Sequence, residues 1–378
     1  KMMGMAAYGS PIYFDKIKSN LFQNSNKYHF KLNLDYFNHH KKDFKYIANN
    51  ENLIIDKIYS SKLKDLFTKE MADDSLKFKT NFAASVQKIY EYFFSKILTK
   101  LKKNNFSENL VFAGGCALNS SANRLLTLTQ NYFKNTYITY APGDNGGALG
   151  AAFEVSAKYN NKKVNLNNPF LGPKYQDKDI KKILQEHLSN KNLSYEYIDG
   201  SNLYNETSKL ISEGNVIGWF QDRMEFGPRA LGNRSILADP RNPNMKDIIN
   251  SKIKRRESFR PFAPSVLKDL EHEWFQSSSY SPYMSSLAKV LKDKKLIVPA
   301  ITHFDGTARL QSVDYKMNPR FHQLLKSFYK LTNVPILLNT SFNENEPIVM
   351  TPKQALDCLL RTDMDALVIN NFLIKKLN

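Results

Sequence analysis

The sequence has few cysteines, no long apolar run and no signal-type start. Cys116 and Cys358 are the only cysteines among 378 residues, and neither lies in a Cys-x-x-Cys pair. Two cysteines are too few for a disulfide framework, and without that spacing they do not indicate a zinc site. A run of roughly 18 or more apolar residues, which a membrane-spanning helix needs, is absent. We therefore expect a cytoplasmic protein without a membrane span.

Acidic residues are also scarce relative to basic ones. Lys and Arg total 54 against 36 Asp and Glu, so the net charge is +18 and the pI is about 9.5. The lysines are spread along the chain with abundant asparagine, and no basic run alternates with aromatic residues as in RNA readers. A generally basic surface is therefore favoured over a nucleic-acid patch. Hydrophobic residues at 42% and charged residues at 24% are typical of a globular protein.

The first half of the chain predicts an α/β fold. Residues 12–75 show poor periodicity and suggest short strands and turns, with His39-His40 in a surface loop rather than a metal pair. Apolar residues then recur at helical spacing over 80–103. Strands and helices alternate after it, with glycine turns between them. The predicted order is a buried strand over 109–113, a helix over 117–128, a strand over 137–140 and a helix over 148–159.

An Asn-, Lys- and Pro-rich segment over 158–178 is the best candidate for a linker to a second domain. The domain after it again mixes strands and helices. We predict helices over 179–188 and 352–360, and strands over 216–220, 296–301, 309–313, 334–338 and 366–369.

Two glycine turns in the first half are candidate ligand sites. Gly114-Gly115 separates a strand from a helix, and Asn119 and Asn123 lie one helical turn apart. Glycine lets a ligand approach the backbone, and a helix N-terminus offers free N–H groups. The alternative is a turn selected for strand–helix packing.

The second turn, Pro142 to Gly150, places Asp144 beside Gly146. A carboxylate among glycines suits a divalent metal next to nucleotide phosphates. Alternatively, Asp144 only caps the helix that follows.

A third candidate site is rich in arginine and extends over residues 223–265. Several guanidinium groups in a rigid, Gly- and Pro-containing segment suggest a small, highly charged anion. Ion pairing with Glu225, Asp239 and Glu257 is the alternative. The basic residues are Arg223, Arg229, Arg234, Arg241, Lys254, Arg255, Arg256 and Arg260.

Two shorter segments complete the candidates. Thr307, Arg309 and Gln311 alternate and are predicted to share one face of a strand. The polar turn from Asn339 to Asn343 includes Ser341 and follows a strand, where ligands of open α/β sheets bind. Each segment is either part of a ligand site or purely structural. We find no Ser/His/Asp set and no HExxH pattern, so positioning and electrostatics are favoured over a protein nucleophile.

Taken in order, these motifs resemble the NodU/TobZ family of O-carbamoyltransferases over essentially the whole chain. The long arginine motif is the most specific of them. The motifs are Met3-Gly4-Met5-Ala6-Ala7-Tyr8-Gly9, Gly114-Gly115-Cys116-Ala117-Leu118-Asn119, Pro142-Gly143-Asp144-Asn145-Gly146-Gly147-Ala148-Leu149-Gly150, Phe226-Gly227-Pro228-Arg229-Ala230-Leu231-Gly232-Asn233-Arg234-Ser235, Phe259-Arg260-Pro261-Phe262-Ala263-Pro264 and Asn339-Thr340-Ser341-Phe342-Asn343.

The resemblance implies two domains. Residues 1–165 would be the second half of an actin/Hsp70-type ATPase-like domain, and residues 166–378 a YrdC-like domain. The YrdC-like domain would use ATP and carbamoyl phosphate to make carbamoyl-adenylate. The ATPase-like domain would then transfer the carbamoyl group to a hydroxyl of a sugar or natural product, aided by a divalent metal, Fe or Mg.

The resemblance also implies roles for single residues. Arg229, Arg260 and Arg309 would be catalytic, and Asp144 would be a metal ligand. Substrate or nucleotide would contact Gly115, Asn119, Asn123, Gly146, Arg234, Arg255, Thr307, Asn339 and Ser341.

Family members carry a further half-domain before the Met3–Gly9 motif, with two histidines for the metal. The start Lys1-Met2-Met3 does not read as a natural beginning. We therefore expect a missing N-terminal half, in cis or as a separate chain, and a homodimer is a further possibility. The alternatives are a non-catalytic half that completes a partner, or a tRNA-directed carbamoyl-type enzyme.

Overall fold

The computed structural model describes residues 1–25, 30–48, 53–72, 75–126, 132–160, 167–188, 193–276 and 280–377. Contacts between residues divide the chain into two compact units, Lys1–Phe106 and Ser107–Asn378. The domain boundary predicted at 165/166 falls inside the second unit and stays a prediction. Within the described ranges, no helix is both long and apolar enough to cross a membrane.

Short strands and helices precede one long helix in the first unit. The short strands predicted for residues 12–75 are confirmed, whereas the helices in this range were not predicted. The strands are β1 (Phe22–Gln23), β2 (Lys31–Leu32), β3 (Tyr46–Ala48) and β4 (Leu53–Ile55). The helices are α1 (Met2–Ala6), α2 (Phe14–Leu21), α3 (Ser61–Leu66), α4 (Thr68–Ala72) and α5 (Leu76–Asn104).

Helix α5 confirms the helix predicted over 80–103 and organises this unit. Its first turn is capped by Ser75, whose hydroxyl accepts the N–H of Phe78 at 3.1 Å, and it ends at Asn105 with a left-handed φ of 49°. Ile89 and Phe93 of α5 pack with Ile17 and Leu21 of α2. His39 and His40 are exposed in a turn, as expected.

The second unit begins with two parallel strands, β5 (Asn109–Phe112) and β6 (Asn135–Ile138). Strand β5 lies where a strand was predicted, but the expectation that it is buried is wrong. Its side chains alternate between exposed and half-buried, and Val111 is 72% exposed. The reason is that the β5–β6 sheet has two strands in the described chain, so little of β5 is covered.

The helix predicted over 117–128 is interrupted. A 3₁₀ helix spans Gly115–Leu118, and α6 (Ser120–Arg124) starts anew at Asn119, whose side chain accepts the N–H of Ala122 at 3.1 Å. The end of the predicted range lies outside the described residues. Helix α7 (Asn145–Asn160) confirms the helix predicted over 148–159.

A mixed eight-stranded sheet forms the core of the second unit, with the order β14-β10-β15-β9-β8-β16-β17-β7. A three-stranded sheet, β11-β12-β13, accompanies it. The strands are β7 (Leu193–Tyr197), β8 (Ile217–Phe220), β9 (Arg234–Ala238), β10 (Ala263–Leu267), β11 (Phe275–Gln276), β12 (Leu287–Val290), β13 (Thr307–Arg309), β14 (Gln311–Val313), β15 (Ile336–Ser341), β16 (Ala366–Ile369) and β17 (Phe372–Lys376). The helices are α8 (Asp177–Leu188), α9 (Ser201–Ser212), α10 (Met245–Ile248), α11 (Pro319–Thr332) and α12 (Pro352–Arg361).

Most predicted elements of this unit are confirmed, and the strand predicted over 296–301 is wrong. A turn and the 3₁₀ helix Pro299–Ile301 stand there, because Pro299 has no N–H for a ladder and Leu296 is 92% exposed. The strand predicted over 309–313 is divided at Leu310: β13 pairs with β12, whereas β14 pairs with β10. Thr307, Arg309 and Gln311 therefore do not line one strand.

The loop between β8 and β9 carries Arg229 and is held by a buried carboxylate. One oxygen of Glu225 accepts the backbone N–H groups of Leu231 at 2.7 Å, Asn233 at 2.8 Å and Arg234 at 3.2 Å. A charged acceptor gives each of these bonds more strength than a neutral one. The Glu225 carboxylate therefore fixes the backbone of this loop, although the loop contains no regular secondary structure.

We predict that Glu225→Ala lowers the free energy of unfolding by about 3 kcal/mol or more, because three buried N–H groups lose their acceptor. Glu225→Gln keeps an acceptor oxygen and should lose less. Urea unfolding measures both, with Glu213→Ala, at an exposed glutamate, as the control. Equal stability of the Glu225 and Glu213 alanine variants would contradict this role.

Candidate anion-binding site

Antiparallel pairing brings several chemically active segments to one edge of the eight-stranded sheet. Strand β15 runs antiparallel to both β9 and β10, with Ser341 opposite Ser235 and Asn339 opposite Ala263. The end of β15 therefore lies beside the starts of β9 and β10. Strand β14 runs parallel to β10, so its start lies at the same edge. The site was expected at strand C-terminal ends, but three of these four strands contribute their starts.

Lys254 lies at the centre of this edge and is 2% exposed. Its ammonium contacts four oxygens: the Ser341 carbonyl at 2.5 Å, the Ser341 hydroxyl at 3.3 Å, and the carbonyl and amide oxygens of Asn343, both at 2.7 Å. A π-helical turn, Ile249–Ile253, delivers the lysine, and such turns are frequent at functional sites.

The ammonium of Lys254 has no carboxylate among these hydrogen-bond partners. Burial, with smaller repulsion from Arg256, lowers the pKa of Lys254 to about 7. The four oxygen acceptors oppose that shift but do not neutralise the charge. A bound anion would favour the protonated lysine and raise this pKa.

Three arginines form a cluster of positive charge. Burial, together with repulsion from Arg229 and Arg256, lowers the pKa of Arg309 well below its ordinary value. Burial also lowers the pKa of Arg229, and burial with repulsion from Arg260 lowers that of Arg256 to about 10. Guanidinium groups stay protonated in proteins, so burial makes these charges unfavourable, and repulsion between guanidinium groups adds to that cost at Arg309 and Arg256. An anion bound among them would relieve it.

Two contacts orient the members of this cluster. The Arg256 Nε–H donates to the side-chain oxygen of Asn250 at 2.7 Å, and its guanidinium lies 4.9 Å from the centre of the Phe262 ring. The Arg260 Nε lies 3.1 Å from a carboxylate oxygen of Glu257, a paired state that the alternative interpretation anticipated.

The sequence analysis gave Arg255 a ligand-binding role, whereas it counted Lys254 and Arg256 in the arginine-rich segment and Asn343 in the polar turn without a role of their own. Arg255 is exposed and pairs with Glu344 at 3.2 Å. No pattern in the sequence separates these residues, because the backbone is helical at Lys254 and left-handed at Arg255 and so directs their side chains differently.

Other residues that were predicted to contact a ligand form hydrogen bonds within the protein. Arg234 is fully buried and donates to the carbonyls of Gln221, Asn233, Pro173 and Asp222. Its guanidinium lies 3.5 Å from the centre of the Phe220 ring.

Asn339 and Thr307 are likewise engaged within the protein. The Asn339 amide N–H groups contact Ser265 and Gln311, each at 3.0 Å. Thr307 donates its hydroxyl to Asp305 at 2.7 Å. These geometries favour structural roles for Arg234, Asn339 and Thr307.

The glycine turns of the first half also have structural explanations. A Cβ at Gly146 would lie 2.1 Å from the Ala141 carbonyl oxygen, so only glycine fits there. The buried Asn123 donates to the carbonyls of Ala117 at 2.8 Å and Ser285 at 2.7 Å. Gly115 is exposed, and Asn119 caps α6. Ligand contact by these residues stays a prediction.

The metal expected at Asp144 is not supported by a ligand set. No group of three His, Cys, Asp or Glu side chains that could hold a metal occurs among the described residues. Asp144 itself is exposed at the start of α7. One carboxylate does not make a metal site, and the steps of adenylate formation are therefore explained without a metal.

The site so described is a basic cluster of one buried lysine and three half-buried arginines on an α/β sheet, and it is a candidate for binding an anion. Residues 1–153 match the sequence model for the Carbamoyltransferase N-terminus, and residues 208–376 match that for the Carbamoyltransferase C-terminus. The chain belongs to the carbamoyltransferase family.

Relatives of this family are similar along the whole chain. An uncharacterized protein of Synechocystis is 38% identical over 406 residues, covering 100% of this chain and 63% of the relative. Nodulation protein NolO of Bradyrhizobium diazoefficiens is 34% identical, covering 100% and 65%. Nodulation protein U of Azorhizobium caulinodans is 34% identical, covering 67% and 44%. The chain thus spans less than two thirds of the length of these relatives.

Among solved structures, full-length HypF in its phosphate- and nucleotide-bound form is similar to this chain. It overlaps with a TM-score of 0.31 at 14% identity, over 65% of this chain and 36% of HypF. That overlap is too low to carry an argument.

We predict that sulfate binding near pH 8 takes up about half a proton or more per molecule, because the anion raises the pKa of Lys254 from about 7. Sulfate itself does not titrate near this pH. Calorimetry in two buffers of different ionisation enthalpy measures the uptake. Lys254→Met should still bind sulfate through its arginines, without the uptake. Undiminished uptake in that variant would assign the proton to another group.

Proposed function

We propose that this protein is an ATP-dependent O-carbamoyltransferase that converts carbamoyl phosphate and ATP into carbamoyl-adenylate and passes the carbamoyl group to a hydroxyl. The observation that carries the proposal is the cluster of Arg229, Arg256 and Arg309 near Lys254. It offers several positive charges where burial makes an anion strongly favourable. Family membership supplies the carbamoyl group as the species transferred.

We assign two reaction steps to this edge of the sheet. Water cleaves carbamoyl phosphate into carbamate and phosphate. A carbamate oxygen then attacks the α-phosphorus of ATP, the α–β phosphoanhydride bond breaks, and pyrophosphate leaves. Charge builds on the phosphoryl oxygens and on pyrophosphate in the second event. The arginine cluster stabilises that charge, and Lys254, held by Ser341 and Asn343, adds a positioned cation.

We assign transfer to the segment around the glycine turns. The acceptor hydroxyl oxygen attacks the carbamoyl carbon, the bond from that carbon to the AMP oxygen breaks, AMP leaves, and the hydroxyl proton passes to solvent. In this part of the second unit, β5 and α7 leave apolar side chains in solvent: Val111 is 72% exposed and Val155 is 55% exposed. We propose that further protein, in cis, from a separate chain or from a second copy, covers them and completes the acceptor and metal sites. The actin/Hsp70-type and YrdC-like assignments of the two domains belong to this proposal.

Isotope exchange between ATP and pyrophosphate tests the first step. The purified chain should exchange label when carbamoyl phosphate is present and not when it is omitted. Arg309→Ala should lower the exchange rate about 10- to 100-fold, because it removes charge-assisted hydrogen bonds to the anion. Exchange without carbamoyl phosphate would indicate another acyl donor.

The matched control is Arg223→Ala. Arg223 is exposed and donates to the Gly172 carbonyl at 3.0 Å, outside the arginine cluster. It should retain the wild-type exchange rate. Absence of exchange by the folded wild-type chain would overturn adenylate formation by this chain alone, and an equal loss in both variants would remove the assignment of Arg309.

A further inference from the structure

Arg255, one of the residues first assigned to ligand binding, faces away from the anion site. Its φ of 42° is unusual for a side-chain-bearing residue and turns the chain between Lys254 and Arg256. Its guanidinium lies 3.2 Å from one carboxylate oxygen of Glu344 and donates to the Arg361 carbonyl at 3.1 Å.

Arg361, in the last turn of α12, holds Glu344 from the other side. Its Nε lies 3.2 Å from the second carboxylate oxygen of Glu344, and its Nη2 contacts Glu346 closely. Glu346 in turn accepts the backbone N–H groups of Glu344 at 3.3 Å and Asn345 at 3.1 Å. Although both arginines are largely exposed, the Glu344 side chain is only 12% exposed.

The ion pair between Arg255 and Glu344 lies next to the contact between Lys254 and Asn343, one residue further along each of the two chain segments. Arg255 follows Lys254 and Glu344 follows Asn343, while the Lys254 ammonium contacts two oxygens of Asn343 at 2.7 Å. The ion pair between Arg255 and Glu344 thus joins the same two chain segments beside the contact between Lys254 and Asn343. The charged and titratable groups that face Lys254 are Arg256, Cys358 and Glu346.

We propose that Arg255, Glu344 and Arg361 form a positioning clasp that holds Lys254 in place for adenylate formation; this rests on the function proposed above. Exposed ion pairs contribute little to stability. A displacement of about 1 Å at a reacting group, by contrast, can cost roughly 100-fold in rate. The clasp should therefore affect catalysis far more than folding.

Glu344→Ala tests the clasp. We expect the exchange rate to fall about 10- to 100-fold, with the KM for carbamoyl phosphate and the urea midpoint close to wild type. The alkaline limb of the pH–rate profile should move to lower pH, because the charges of Arg255 and Arg361 lose the Glu344 carboxylate that balances them and the protonated lysine becomes less favourable. Arg255→Lys should restore part of the activity that Arg255→Ala loses. Glu186→Ala, which removes an exposed ion pair to Lys182, is the control.

A second readout separates this proposal from the proposed function. The pH range of sulfate-linked proton uptake requires no turnover, and it should move to lower pH in Glu344→Ala but not in Glu186→Ala. If the wild type shows no exchange, the proposed function fails. The pH range of sulfate-linked proton uptake is then the measurement that tests the clasp. An unchanged pH range and exchange rate in Glu344→Ala overturn the clasp. A lowered urea midpoint without a shift of the pH range also overturns it, because it indicates a merely structural ion pair.

Discussion

The buried carboxylate of Glu225 fixes the loop on which the anion site depends. One of its oxygens accepts three backbone N–H groups, and the last of these belongs to Arg234, the first residue of β9. Arg234 then extends its buried guanidinium to carbonyls of Gln221 and Pro173. The two residues use opposite charges to satisfy the backbone of an irregular segment, which would otherwise leave buried polar groups unpaired. Arg229 projects from a loop held in this way, so its charge lies in a fixed place before any ligand arrives.

The site holds several positive charges without matching negative charges, and hydrogen bonds keep the charged groups in place. Arg229 and Arg256 both repel Arg309, and Lys254 is buried among neutral oxygens. Such an arrangement costs stability in the free protein. It suits a ligand that carries several negative charges, which carbamoyl phosphate and ATP both do. Carboxylates are used differently: Glu225, Glu344 and Glu346 hold backbone and arginine groups around the site.

Two parts of the second unit differ in the support they give to a ligand site. The contacts of Lys254, Ser341 and Asn343 bring a buried cation and several oxygens together. Around the glycine turns, Gly146 and Asn123 have packing and hydrogen-bonding reasons of their own, and Asp144 has no fellow ligands among the described residues. The relatives are longer than this chain, so the transfer half of the reaction is the part of the proposal that most needs further protein.

The sequence by itself determined the α/β class, helix α5, strands β8, β15 and β16, and the family, because periodicity, glycine turns and ordered motifs are local properties. It also indicated an anion site rich in arginine. Only the tertiary structure decided which of these basic residues lie together. Arg255 is as basic as Lys254 and Arg256, yet a left-handed backbone at that residue directs it to Glu344. Likewise, the strand expected over 296–301 is a turn, and 309–313 divides between two sheets. The direction of a side chain and the partner of a strand are set by contacts between residues far apart in the chain. Local sequence patterns do not encode these contacts.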